Sequence, residues 1–131
     1  MPRALAAATA YFAIVFCLAF LLGVARTLVV APATGEVVAV LIEAPIVLLI
    51  SGFAAVWGAR RFAVPPTTPA RLTMGFVAFV LLMAVESGMS LLLFDRTLSL
   101  QWAAFATPAG AIGLLAQIAF AFIPLLVARR R

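Results

Sequence analysis

Histidine, lysine and asparagine are missing from this chain, cysteine occurs once, and only four residues are acidic. Without histidine or lysine there is no Ser-His triad, no Schiff-base amine and no phosphate-loop lysine, so the usual templates for nucleophilic catalysis fail. The single Cys17 excludes an internal disulfide and a CxxC redox pair. The four-helix membrane oxidoreductases of this size that form disulfides are excluded with them. Zinc and haem sites of the ordinary kinds need histidine or several thiols and are excluded too, which leaves only a carboxylate-built magnesium-type site that no spacing supports. The chain is therefore expected to carry no metal and no cofactor, and not to be an enzyme. Two carboxylates capable of acid–base work on a lipid remain, with no nucleophile beside them.

What is present is apolar. Of 131 residues 67% are hydrophobic and 10% charged, with a mean hydropathy of +1.28. A soluble domain of this size cannot hide so much apolar surface, so membrane lipid is the expected solvent. The net charge of +5 comes entirely from nine arginines placed at the ends of apolar runs. That placement reads as topology signalling and not as nucleic-acid binding.

Four runs reach the roughly 20 residues needed to cross about 30 Å of hydrocarbon: 5–25, 35–57, 72–94 and 108–128. Each must be a helix, since an open hairpin leaves backbone groups unpaired in lipid. The predicted fold is all-α, a polytopic integral membrane protein of one domain with four transmembrane helices in a compact bundle. The first run resembles a signal peptide in having Arg3 before it, but its length and the absence of a small-residue cleavage site favour a retained anchor. Arg3, Arg60, Arg61, Arg71 and Arg129–Arg131 share one side of a four-span chain, while Arg26 and Arg96 fall on the other. This bias puts both termini in the cytoplasm of a bacterium, with the bundle in its inner membrane. Pro32 and Gly35 frame a short outer turn, and Pro65, Pro66 and Pro69 predict an extended inner loop. Thr107 and Pro108 read as an N-cap followed by a first-turn proline. Trp57 and Trp102 read as interfacial anchors. The first and third spans both exit into Arg-Thr-Leu, at Arg26 and Arg96, which either duplicated hairpins or a biased composition would produce.

The polar groups inside the runs carry the functional reading. Counted at 1.5 Å per residue from the outer ends, Glu43, Glu86, Gln117 and Cys17 fall at similar depths of about 10–14 Å. Ser90 stands one turn from Glu86 on the same face, with Ser87 beside it. A central charge costs about 2.5–3.5 kcal/mol on insertion scales, so the two glutamates must be protonated or paired inside the bundle. Glu43 and Glu86 are expected to face one another or a shared polar cavity, with Arg26 reaching down as the cationic partner. Pro45 withholds an amide from the Leu41 carbonyl beside Glu43, which either kinks the helix to fit its neighbours or frees an acceptor for a ligand. Ala106, Gly110, Gly113, Gln117, Phe120 and Pro124 form one stripe. Gly110 and Gly113 are expected to let another helix approach closely, and Gln117 to bond across it or to touch a ligand. Glu36, Asp95 and Arg96 are placed at the outer mouth, as ion pairs or an acidic vestibule.

In size and span number the chain is similar to the small multidrug resistance transporters and the small fluoride channels. It lacks the former's glutamate in the first span and the latter's pore asparagine. Over most of its length it resembles a group of small four-helix bacterial inner-membrane proteins with no assigned activity. The matching pieces are Arg26-Thr27-Leu28, Glu43-Ala44-Pro45, Met74-Gly75 with Glu86, and Thr107-Pro108-Ala109-Gly110 through Gln117. That resemblance implies the fold and no mechanism. The function expected from the residues is an ion- or proton-coupled transporter or permeation unit using Glu43 and Glu86. The alternative is an accessory or assembly subunit of a larger membrane complex. A homodimer burying the Gly110/Gly113 stripe is the partner arrangement such a small bundle suggests.

Overall fold

The computed structural model describes residues 2–92, 103 and 105–129, apart from the side chains of Ser90 and residues 128–129. Asp95, Arg96 and Trp102 lie outside that set. The described chain is helical: α1 (Pro2–Ala25), a π-helical turn (Arg26–Val30), α2 (Ala31–Thr34), α3 (Glu36–Arg61), α4 (Thr68–Leu92) and α5 (Pro108–Arg129). Four stretches are long and apolar enough to cross a membrane, namely Pro2–Thr34, Glu36–Arg61, Thr68–Met89 and Pro108–Val127.

The first stretch corrects the expectation of a helix ending at residue 25 and a turn framed by Pro32. α1, the π turn and α2 run on without a break for 33 residues, about 50 Å at 1.5 Å per residue. Pro32 has no amide hydrogen to give to the preceding turn. The π-helical widening just ahead of it, where the Ala31 amide bonds the Arg26 carbonyl, shifts the ladder so that the helix continues. Gly35 alone makes the reversal, at φ 92 and ψ 161, a backbone region open essentially only to glycine.

α4 likewise begins four residues earlier than the sequence suggests. The Thr67 hydroxyl accepts from the Ala70 amide at 3.4 Å, so Thr67 is the N-cap and Pro69 sits in the first turn, where its missing amide goes unneeded. α5 starts as expected: the Thr107 hydroxyl accepts from the Gly110 amide at 3.1 Å, with Pro108 first in the helix. α3 closes in a Schellman motif, Val64 N to Ala59 O at 2.9 Å and Ala63 N to Arg60 O at 3.3 Å. The left-handed position of that motif is held by Ala63, φ 53, where glycine is usual.

α1 packs on α3 and α4, and α5 packs on the same two, so α1 and α5 stand diagonally across a four-helix bundle. The core gathers at one end of it. Ala7, Ala8, Tyr11, Ala54, Ala55, Met74, Ala78 and Phe120 are buried there, and the small alanines among them let backbones close in. The closest approach is at Gly75, where a Cβ would collide with the Ala121 carbonyl of α5. Gly113 corrects the expected packing role: a Cβ there meets nothing within 4 Å. Gly110 and Gly113 both line a cavity of the bundle. The outside is apolar, with Leu21 64%, Phe53 70%, Phe76 65% and Leu115 67% exposed. Cys17 is exposed among them and does not line the cavity.

Candidate functional site

Where the alanine-rich packing ends, the bundle is hollow. A cavity of about 670 Å³ is lined by residues of all four long helical stretches, with Arg26, Glu43, Glu86 and Gln117 on a mostly apolar wall that includes Val15, Phe16, Phe20, Leu82, Met89 and Phe120. It occupies the half of the bundle away from the Arg3, Arg60 and Arg61 end. Antiparallel neighbours put the second half of α1 beside the first half of α3, and the second half of α4 beside the first half of α5. Equal depth in the sequence thus becomes adjacency in space.

The polar groups meet as two separate pairs. Arg26 Nη1 lies 3.2 Å from Glu43 Oε2, with the two side chains 31% and 16% exposed. The approach is close enough for an ion pair but not aligned as a hydrogen bond, and Arg26 Nε and Glu43 Oε2 find no hydrogen-bond partner. The π-helical turn sets this contact, because Arg26 is its first residue. Across the cavity, Gln117 Nε2 donates to both oxygens of Glu86, at 2.8 Å each. The amide holds its nitrogen equidistant from the two oxygens, so one N–H is shared between them. Its own oxygen is left covered and unpartnered.

Other expected members fall elsewhere. Ser87 lines a separate shallow pocket with Phe76, Phe79, Val80 and Met83 on the opposite side of α4. Glu36 is exposed in the first turn of α3. Pro45 lies inside α3, which runs through it as one helix. The Ser90 side chain, Asp95 and Arg96 lie outside the described residues. Among those residues, no group of three His, Cys, Asp or Glu side chains is placed to hold a metal ion.

The floor of the cavity was not foreseen. Pro124 cannot supply the amide that would bond the Phe120 carbonyl one turn back. The Tyr11 hydroxyl takes that carbonyl instead, at 2.6 Å across the bundle diagonal. The two rings stack with centroids 4.5 Å apart and planes 9° from parallel. One turn further on, Arg71 is 2% exposed. Its Nη1 donates to the Pro124 carbonyl at 3.1 Å and its Nε to Pro65 O at 3.3 Å. A guanidinium at the last turn of α5 meets carbonyls that point its way and the negative end of the helix dipole. The signal was there: the only tyrosine of the chain sits mid-run in the first span, and a proline in the last span must leave one carbonyl free.

What the arrangement offers chemically is binding. It is an apolar chamber with two carboxylates, one matched by a cation and the other by a neutral amide, above a hydrogen-bonded aromatic floor. No family model, curated protein or solved structure matches this chain, so a functional reading rests on these residues alone.

Proposed function

We propose that this is a small proton-coupled carrier of the bacterial inner membrane, spanning it four times with both termini in the cytoplasm. A proton and a solute would contend for the carboxylates of its cavity. One observation carries the reading: Glu43 and Glu86, from different helices, line one chamber that solid packing closes at the Arg3, Arg60 and Arg61 end. The groups able to carry charge on that wall, among the described residues, are Arg26, Glu43 on α3 and Glu86 on α4, while α5 contributes the neutral Gln117. Protonation of either glutamate changes the charge that a solute meets there.

Insertion is supported by the exposed Leu and Phe side chains around the bundle, which water would penalise at about 25 cal/mol per Å². Orientation is supported by Arg3, Arg60 and Arg61 at the packed end. At that end Trp57 meets Phe62 edge-on at 6.5 Å, and Arg61 lies 5.4 Å over the Phe62 ring. Such a cluster suits a membrane interface. The chamber then belongs to the outer half, and the Tyr11–Phe120 floor separates it from the cytoplasm.

The test is reconstitution into liposomes loaded with a pH-sensitive dye, across an imposed pH gradient, with a panel of small charged and neutral organic solutes added in turn. At least one solute should speed collapse of the gradient with the wild-type protein, and Glu43→Gln with Glu86→Gln should abolish that effect. A protein inert to the whole panel, or a double variant as active as wild type, removes the carrier reading. Inertness together with co-purification in a larger assembly would favour an accessory subunit.

A further inference from the structure

We infer that the solute is an amphipathic cation, its charged nitrogen held at Glu86 and its apolar body against Phe16, Phe20, Leu82 and Met89. This rests on the carrier reading and specifies its substrate class. The charges on the wall do not cancel: among the described residues, Arg26 is engaged with Glu43, and Glu86 meets only the Gln117 amide.

That amide fixes the Glu86 carboxyl in place on the wall. The Gln117 nitrogen stands 2.8 Å from each oxygen, so that one N–H is shared between the two. Gln117 adopts this orientation even though its own oxygen is left unpartnered. A carboxylate against an apolar wall without a counter-charge is costly, and a cationic ligand removes that cost.

The rest of the lining selects the rest of the ligand. Phe16 and Phe20 offer ring faces that attract cations and apolar groups alike. An anion would meet Glu86. A bare metal ion would find too few oxygens, since no cluster of three ligating side chains stands among the described residues. Gln117 acts as a positioning residue, fixing the carboxylate that receives the ligand.

The experiment is calorimetric titration of the full chain in detergent at neutral pH with phenethylammonium. The counterparts 2-phenylethanol and 3-phenylpropionate serve as neutral and anionic probes of similar shape. The ammonium should bind about tenfold or more tightly than the alcohol, as for a site whose polar group is otherwise left unmatched, and the propionate should not bind. Glu86→Gln should erase the preference while leaving alcohol binding intact, which also shows that the variant is folded. Gln117→Leu should weaken the ammonium and not the alcohol. Equal binding of ammonium and alcohol, binding of the propionate, or a preference that survives Glu86→Gln would overturn the assignment. The two proposals fail separately. Cation binding without any solute-driven proton movement leaves the site and removes the carrier. Proton movement driven only by a neutral or anionic solute does the reverse.

Discussion

At the scale of single residues, the molecule is governed by what apolar surroundings demand of a few polar atoms. Most of these groups meet a named partner: Glu43 pairs with Arg26, Glu86 with Gln117, the carbonyl left free by Pro124 with Tyr11, and Arg71 with backbone oxygens. The Tyr11 bond gives a sharp prediction. Tyr11→Phe leaves the Phe120 carbonyl buried without a donor and should cost about 1–3 kcal/mol in unfolding from mixed micelles. In a Pro124→Ala background, residue 124 can supply the helical amide itself, so the same change should cost less than about 1 kcal/mol. Equal costs in both backgrounds would mean that the hydroxyl is not replacing the amide that proline removes. Sequence reasoning singled out Glu43, Glu86, Gln117 and Arg26 because polar groups in apolar runs are expensive and must turn inward. It passed over Tyr11, because no periodicity says which helices stand diagonally. It took Arg71 for a topology charge, because an arginine after a loop looks the same whether it faces water or a helix end.

At the scale of elements, small residues divide into those that touch and those that make room. Gly75 is pressed against the α5 backbone, whereas Gly113 faces open space. Gly75→Ala should therefore destabilise by at least about 1–3 kcal/mol, the range for overpacking. Gly113→Ala should be neutral or stabilise by up to about 1 kcal/mol through helix propensity alone. Thermal unfolding of the two variants side by side checks this, and a larger loss at Gly113 would place the helix contact wrongly. The end of α3 offers a gain. Ala63 holds a left-handed backbone that costs a side chain about 1–2 kcal/mol, so Ala63→Gly should raise the melting temperature, and a lowered one would speak against the Schellman ending. The four helices were legible from run length and their threonine caps from local pattern in one case of two. Thr107 was recognised, while Thr67 was masked by three nearby prolines that suggested an extended loop. The π-helical turn left no mark in the sequence, since Arg26 and Pro32 each look like a stop and only together let the helix run on.

At the scale of the whole molecule, the bundle is two unlike halves. The Arg-rich end is closed by alanines, Met74 and the Tyr11–Phe120 pair, and the other half encloses the acidic chamber. That asymmetry follows from where the chain places bulk. Alanine recurs in the first half of α1 and the second half of α3, while the cavity lining carries Glu43, Glu86, three glycines and the glutamine. The apolar exterior was legible in composition, but the hollow was not, because a stripe of Gly110 and Gly113 reads as well for contact as for space. The claim on which the rest depends is that this hollow is a water-reached vestibule on the side away from Arg3, Arg60 and Arg61. Gly113 has room for a new side chain, so Gly113→Cys with Cys17→Ala, probed by a membrane-impermeant maleimide in vesicles of each orientation, tests it directly. Modification from the face opposite the termini, slowed by phenethylammonium, is the predicted result. Modification only from the arginine side, or only after denaturation, would contradict it.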